Sequence, residues 1–167
     1  MTFPYMKLGA VIVCLAAARP LAAESINPPT MPQTAPVTGQ EKKNLQFALD
    51  FTREVLQGRH TELSPKYQAE DYIQHNPNIP TGRAAFVAVF SRRPPVNPIP
   101  SQLDPAPVVS GAKGDFVWLI MEHEDKDPRD ASKTYHYNSF DAFRIKNNKI
   151  MEHWDGAQKS AARQTKE

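Results

Sequence analysis

Cysteine is almost missing from this chain of 167 residues: Cys14 is the only one. A lone thiol leaves no intrachain disulfide and no cysteine-built metal site. Glycine is scarce too, at 7 residues, and the chain has no GxGxxG turn, GxSxG nucleophile elbow or phosphate-cradling loop. HExxH is absent, and His75, His123, His153, Asp141 and Asp155, which could in principle supply a His/carboxylate site, lack that short helical spacing, so no metal is expected. Charge of one sign is lacking as well, with 20 Lys and Arg against 18 Asp and Glu. A balance this close gives no electrostatic case for nucleic acid or an anionic membrane surface as partner.

Long apolar runs are also missing. The best candidate, LGAVIVCLAAA at residues 8–18, is too short to span a bilayer. It follows the basic start MTFPYMK and leads to the small-residue exit Pro20-Leu21-Ala22-Ala23. That layout is a secretory signal peptide over residues 1–23, cut after Ala23. An exported protein, periplasmic or secreted, is expected, with no membrane association once the signal is gone. Cys14, Lys7 and Arg19 leave with it, so the 20 basic residues fall to 18 against 18 acidic.

Proline, by contrast, is abundant at 16 residues. Residues 24–37 (ESINPPTMPQTAPV) are Pro-rich, lack periodicity and read as a disordered or extended leader. One domain is expected over residues 38–158, followed by a polar tail at 159–167. Thr38 and Glu41 form a capping box, and Leu45, Ala48, Leu49, Thr52, Val55 and Leu56 recur at helical spacing up to Gly58. A short second helix over residues 61–67 is interrupted by Pro65, and residues 70–76 are extended. A third helix follows Thr81, with Ala85, Phe86, Val89 and Phe90 on its apolar side and Arg92-Arg93 at its solvated end. Residues 94–107 hold six prolines and form a stiff loop. Residues 114–123 (GDFVWLIMEH) are a strand apolar on both faces, and the acidic residues 124–130 read as a solvated turn. Helices first and strands afterwards is an α+β order.

The last stretch, YHYNSFDAFRIKNNKIMEHWD (residues 135–155), reads as a hairpin turning at Asn147-Asn148, because tandem Asn tolerates positive φ. Strict alternation puts Ile145 opposite Ile150, Phe143 opposite Glu152, Asp141 opposite Trp154 and Phe140 opposite Asp155. One largely apolar face then carries Tyr137, Ser139, Asp141, Phe143, Ile145, Ile150, Glu152 and Trp154. The other carries His136, Asn138, Phe140, Ala142, Arg144, Met151, His153 and Asp155. Asp141 is therefore expected on the covered face, either paired with Arg53 or Arg83 or acting as a proton carrier. Burial among rings disfavours the charged form of a carboxylate and suits it to that work. His75 and His123 stand at or near strand ends, and His153, two residues from Asp155, shares its face; an imidazole beside a carboxylate can assist proton transfer.

Tyr72-Ile73-Gln74-His75-Asn76-Pro77 with Gly82-Arg83, then Phe140-Asp141-Ala142-Phe143-Arg144 and Lys149-Ile150-Met151-Glu152-His153-Trp154-Asp155, resemble the SnoaL-like polyketide cyclases of the nuclear transport factor 2-like superfamily. The likeness runs in order from residue 43 to residue 158. It implies a curved antiparallel sheet wrapped as a cone or half-barrel, closed by the N-terminal helices and often paired as a homodimer. It also implies acid–base chemistry on a small apolar carbonyl compound, of enolisation, aldol or lyase type, with no cofactor. The family places an Asp on the last strand as acid/base, here Asp155, or Gln158 if the position falls later. A bulge, common in such sheets, would bring Asp155 to the face of Asp141. Asp141, Asp155, His153 and His75 are the catalytic candidates. Tyr72, Asn76, His123, Tyr137, Ser139, Trp154 and Gln158 are the substrate-binding ones. A non-catalytic ligand-binding or dimerisation module is the alternative, since one fold hosts both.

Overall fold

The computed structural model describes residues 38–159. The expected signal peptide, the leader and residues 160–167 of the tail lie outside the described residues. Helix α1, Gly39–Phe51, begins at the predicted capping box: the Thr38 hydroxyl accepts from the Glu41 amide at 3.1 Å, and the Glu41 carboxylate accepts from the Thr38 amide at 2.7 Å. The other Glu41 oxygen accepts from the Gly114 amide at 2.8 Å, tying the helix start to a strand turn 73 residues away. Backbone donation from Thr38, then from Gly114, holds the Glu41 carboxyl down at about 2.

The chain runs on as a π-helix, Thr52–Gln57, and stops at Gly58, where a Cβ would strike the Glu54 carbonyl. A 3₁₀ turn, Thr61–Leu63, leads into the short helix α2, Ser64–Tyr67, with Pro65 in its first turn. Strand β1 is Gln68–Gln74 and helix α3 is Arg83–Phe90. After the proline-rich loop come β2, Pro107–Lys113; β3, Phe116–Asp127; β4, Asp130–Lys146; and β5, Lys149–Asp155. The expected acidic turn is shorter than predicted. β3 continues through it to Asp127, because its backbone pairs with β4 as far as Asp127 opposite Asp130, and ladder bonds outweigh side-chain polarity.

The five strands form one sheet in the order β1-β5-β4-β3-β2. The α+β class is the expected one, but the sheet is mixed: β1 lies parallel to β5 while the other pairs are antiparallel. The cause is the connection. After β1 at one edge, α3 and the loop carry the chain to β2 at the far edge, and the antiparallel strands then return across the sheet.

Helices cover one face of this sheet. Phe51 of α1 meets Phe143 of β4 edge-on at 5.9 Å, and Phe86 of α3 meets Tyr72 of β1 at 6.0 Å. Val117, Leu119, Phe143, Ile145 and Ile150 are buried there, consistent with alternate residues of each strand pointing inward. The opposite face leaves Phe116, Trp118 and Phe140 exposed. The double-sided apolar character read in β3 thus has two meanings: core inward and bare aromatic surface outward.

Candidate functional site

The hairpin turns where predicted, with Asn147 and Asn148 both at φ 53°. Ile145 faces Ile150 as expected, but Arg144 then faces Glu152, leaving Met151 as an extra residue. This is a bulge, and it reverses the parity of everything beyond it. Phe143 pairs with His153, Ala142 with Trp154 and Asp141 with Asp155. The strict-alternation pairs of Asp141 with Trp154, Phe143 with Glu152 and Phe140 with Asp155 are corrected accordingly. His153 and Asp155 move to the helix-covered face beside Asp141, while Glu152 and Trp154 move to the other.

Asp141 and Asp155 therefore sit directly opposite each other on neighbouring strands. The Asp141 Oδ1 lies 2.9 Å from His153 Nε2, and the two side chains are only 15% and 10% exposed. His153 is stacked on Phe143 at 4.9 Å, which fixes the plane of its ring. Its Nδ1 lies 3.2 Å from the Gln74 Oε1. Asp155 is held from two sides, by the Asn76 Nδ2 at 2.7 Å and by the Ala157 amide at 2.9 Å. Tyr72, 1% exposed, receives a hydrogen bond from Gln74 Nε2 at 2.9 Å. Burial first, then the negative charges of Asp155 and Asp141, push the Tyr72 hydroxyl well above its ordinary range, so it keeps its proton as a donor. Neither Arg53 nor Arg83 reaches Asp141: Arg53 pairs with Asp50 and Glu54, and Arg83 donates to the Gln68 carbonyl.

Other predicted residues lie elsewhere. His75 is on the outer face, where its Nε2 stands 2.9 Å from Glu152 and its ring stacks on Trp154 at 4.5 Å. Arg144 also holds Glu152, so this outer carboxylate is occupied on both oxygens. Hydrogen bonding from His75, then from Arg144, lowers its pKa. The bulge turns Trp154 from the covered face to the outer one. His123, Ser139 and Tyr137 stay together on β3 and β4, with His123 Nε2 at 2.8 Å from Ser139 Oγ and its ring over Tyr137 at 5.1 Å. Their register places them beyond Asp141, toward the exposed end of the strand pair. Gln158 follows β5 as an exposed residue, and its carbonyl accepts from Asn78. Gln74 belongs to the cluster and was not among the candidates. Its signal was in the sequence: it stands two residues from Tyr72 on one strand and so shares its face.

An open hollow of about 370 Å³ lies beside the end of β5. Trp118, Ile120, Phe140 and Trp154 of the outer face wall it, and Asp141 and Asp155 also border it. Its walls thus carry no imidazole, and His153 is not among the residues that line it. Among the described residues no cluster of three or more His, Cys, Asp or Glu is placed to hold a metal, and no helix is long and apolar enough to cross a membrane.

No protein-family model and no curated protein sequence matches the chain. Solved structures do. A candidate polyketide cyclase from Acidithiobacillus ferrooxidans is 20% identical over 68% of this chain and 86% of its own, with a TM-score of 0.48. An NTF2-like protein from Burkholderia xenovorans is 17% identical over 69% of this chain and 88% of its own, at 0.48. An epoxide hydrolase of the LEH-like type from M. tuberculosis is 10% identical over 70% of this chain and 83% of its own, also at 0.48. These are likenesses of fold; the site described above is read from this chain alone.

Proposed function

We propose that the chain is a small-molecule enzyme that moves a proton on a carbonyl compound, in a reaction of enolisation, aldol or lyase type. One observation carries this reading: Asp141 and Asp155 face each other on the covered side of the hairpin, one bound to an imidazole and the other to an amide, beside a protonated Tyr72. Asp141 is the proton carrier. Its Oδ1 is committed to His153, and among the described residues nothing donates to its Oδ2, which is left to take a hydrogen from the carbon beside the carbonyl. Tyr72, buried beside the pair and not bordering the hollow, keeps its proton next to the two carboxylates. His153 shares the captured proton with Asp141 until it is returned to carbon or to a leaving group. The apolar walls of the hollow suit a largely apolar substrate, and of the side chains named Asp141 and Asp155 border it. Resemblance of the YIQHNP and KIMEHWD segments to SnoaL-like cyclases supports the same class.

Hydrogen–deuterium exchange at the α-carbon of a panel of apolar ketones in heavy water tests this. The chain accelerates exchange on some member of the panel, and Asp141→Asn lowers the rate by about 10²–10⁴-fold. No acceleration on any ketone, or full activity in Asp141→Asn, would sink the proposal. In that case the ligand-binding reading stands, supported by the bare aromatics of the outer face. We propose further that a second copy of the chain covers that face, since contiguous exposed aromatics mark association surfaces. Sedimentation of the wild type as a dimer and of Phe140→Glu as a monomer tests it. Export is likewise proposed from residues 1–23, and a mature N-terminus at Glu24 recovered from the extracytoplasmic fraction tests that.

A further inference from the structure

Gln74 holds more of the site in one polarity than any other residue, and its own orientation is not free. Its Oε1 lies 3.0 Å from the backbone amide of Asn76, a group that can only donate, so that atom must be the amide oxygen. The same Oε1 lies 3.2 Å from His153 Nδ1, so Nδ1 must carry a proton. Gln74 Nε2 donates to the Tyr72 hydroxyl at 2.9 Å, which makes that oxygen the acceptor and turns its own hydrogen away from Gln74. Asn76 is fixed in the same manner: its Oδ1 accepts from the Asn78 amide at 2.8 Å, leaving Nδ2 to donate to Asp155 at 2.7 Å.

We propose that Gln74 is the positioning residue of the site: it locks His153 with hydrogen on Nδ1 and presents Nε2 to Asp141. Resting on the acid–base reading above, this specifies how the dyad works. With Nδ1 always protonated, the 2.9 Å contact between Nε2 and Asp141 Oδ1 holds a single proton. That proton sits on nitrogen, giving imidazolium and carboxylate, or on oxygen, giving imidazole and carboxylic acid. The pair is a two-position store for one proton, and Gln74 forbids the third arrangement, a neutral ring protonated on Nε2 against an ionised Asp141. That arrangement would leave Nδ1 with a lone pair aimed at the lone pairs of the Gln74 oxygen. The Phe143 ring stacked on His153 prevents the imidazole from turning to escape it.

The test reads the ring nitrogens directly. Long-range proton–nitrogen correlation spectra of the chain labelled with ¹⁵N-histidine assign the hydrogens of His153 across a pH titration, with His153→Gln used to identify its signals. The wild type shows a protonated Nδ1 at every pH where the chain is folded. Gln74→Leu removes the acceptor, and the Nε2-protonated neutral form becomes populated. Gln74→Glu keeps an oxygen at the same place and restores the Nδ1-protonated form. A neutral wild-type ring with hydrogen on Nε2 would overturn the proposal, as would Gln74→Leu with an unchanged tautomer. If Gln74→Leu does not fold, the wild-type spectrum still decides. The readout needs no turnover, so an inert wild type that shows the locked tautomer refutes the proposed reaction while leaving the role of Gln74 intact.

Discussion

Each face of the β4–β5 hairpin carries a carboxylate bound to a histidine, and the two pairs have different chemical prospects. On the covered face Asp141 meets His153, at 15% and 10% side-chain exposure. On the outer face Glu152 meets His75, at 17% and 37%. The outer carboxylate is also gripped by Arg144, which occupies its second oxygen. The inner one has an amide-locked imidazole as partner and keeps Oδ2 open. A guanidinium beside a carboxylate is permanent charge compensation, whereas an imidazole can hand its proton over. The same pairing of residue types is therefore a structural clamp on one side and a proton store on the other.

The strongest way to break this comparison is to cut an aromatic from each face. Phe143 is fully buried and touches both Phe51 and His153; Phe140, three residues before it, is 57% exposed. Phe143→Ala should cost about 3–5 kcal/mol in urea unfolding. Phe140→Ala should cost less than about 1 kcal/mol in the monomer. Similar losses in both variants would mean that the outer face is covered as tightly as the inner.

The two histidines sharpen it next. His153→Ala leaves a partly buried carboxylate without its partner and should lose about 2 kcal/mol of stability, together with α-hydrogen exchange. His75→Ala removes a half-exposed pair whose carboxylate retains Arg144, so stability should fall by less than about 1 kcal/mol, with exchange kept. Exchange lost with His75 and kept without His153 would reverse the assignment of the faces.

Why the faces were partly misassigned from the residues alone is a matter of one amino acid. The turn at Asn147-Asn148 was legible because positive φ at two consecutive positions leaves few residue types. Its first inward pair, Ile145 with Ile150, was legible from apolarity. Met151 carries no mark of its own: an unbranched apolar side chain fits a bulge and a regular strand alike. Parity beyond it could be settled only by the tertiary choice between burying His153 or Trp154. The β1 edge was equally hidden, since a seven-residue strand shows no preference for a parallel neighbour. The capping box at Thr38 was plain because it is local, and of the α3 stripe Phe86 and Phe90 pack on the core as read, with Val87 there in place of Val89. Tyr72 and Asn76 bind Gln74 locally, but the group that gives the glutamine its part in the site, His153, arrives 79 positions later.

The smallest effects expected are those of pH on the two carboxylates whose hydrogen bonds lower them, Glu41 on the helix side and Glu152 on the outer face. Glu41 falls from an ordinary 4.5 to about 2, so folding favours its ionised form. The stability it contributes is complete above pH 4.5 and drains away as the pH falls toward about 2, because the unfolded chain takes up the proton first. Glu41→Gln should therefore unfold at lower urea than wild type at neutral pH, and the gap should close on acidification over that window. Glu152 is lowered as well, by His75 and then Arg144, so Glu152→Gln should show a gap of the same sign that closes on acidification below the ordinary carboxylate range. Glu41 draws its stabilisation from fixed backbone amides, whereas Glu152 draws it from side chains that move and are screened by salt. Added salt should therefore shrink the Glu152 gap and leave that of Glu41 nearly unchanged. A Glu41 gap that is constant from neutral pH to about 2, or that widens on acidification, would show that its amides do not prefer the charged form.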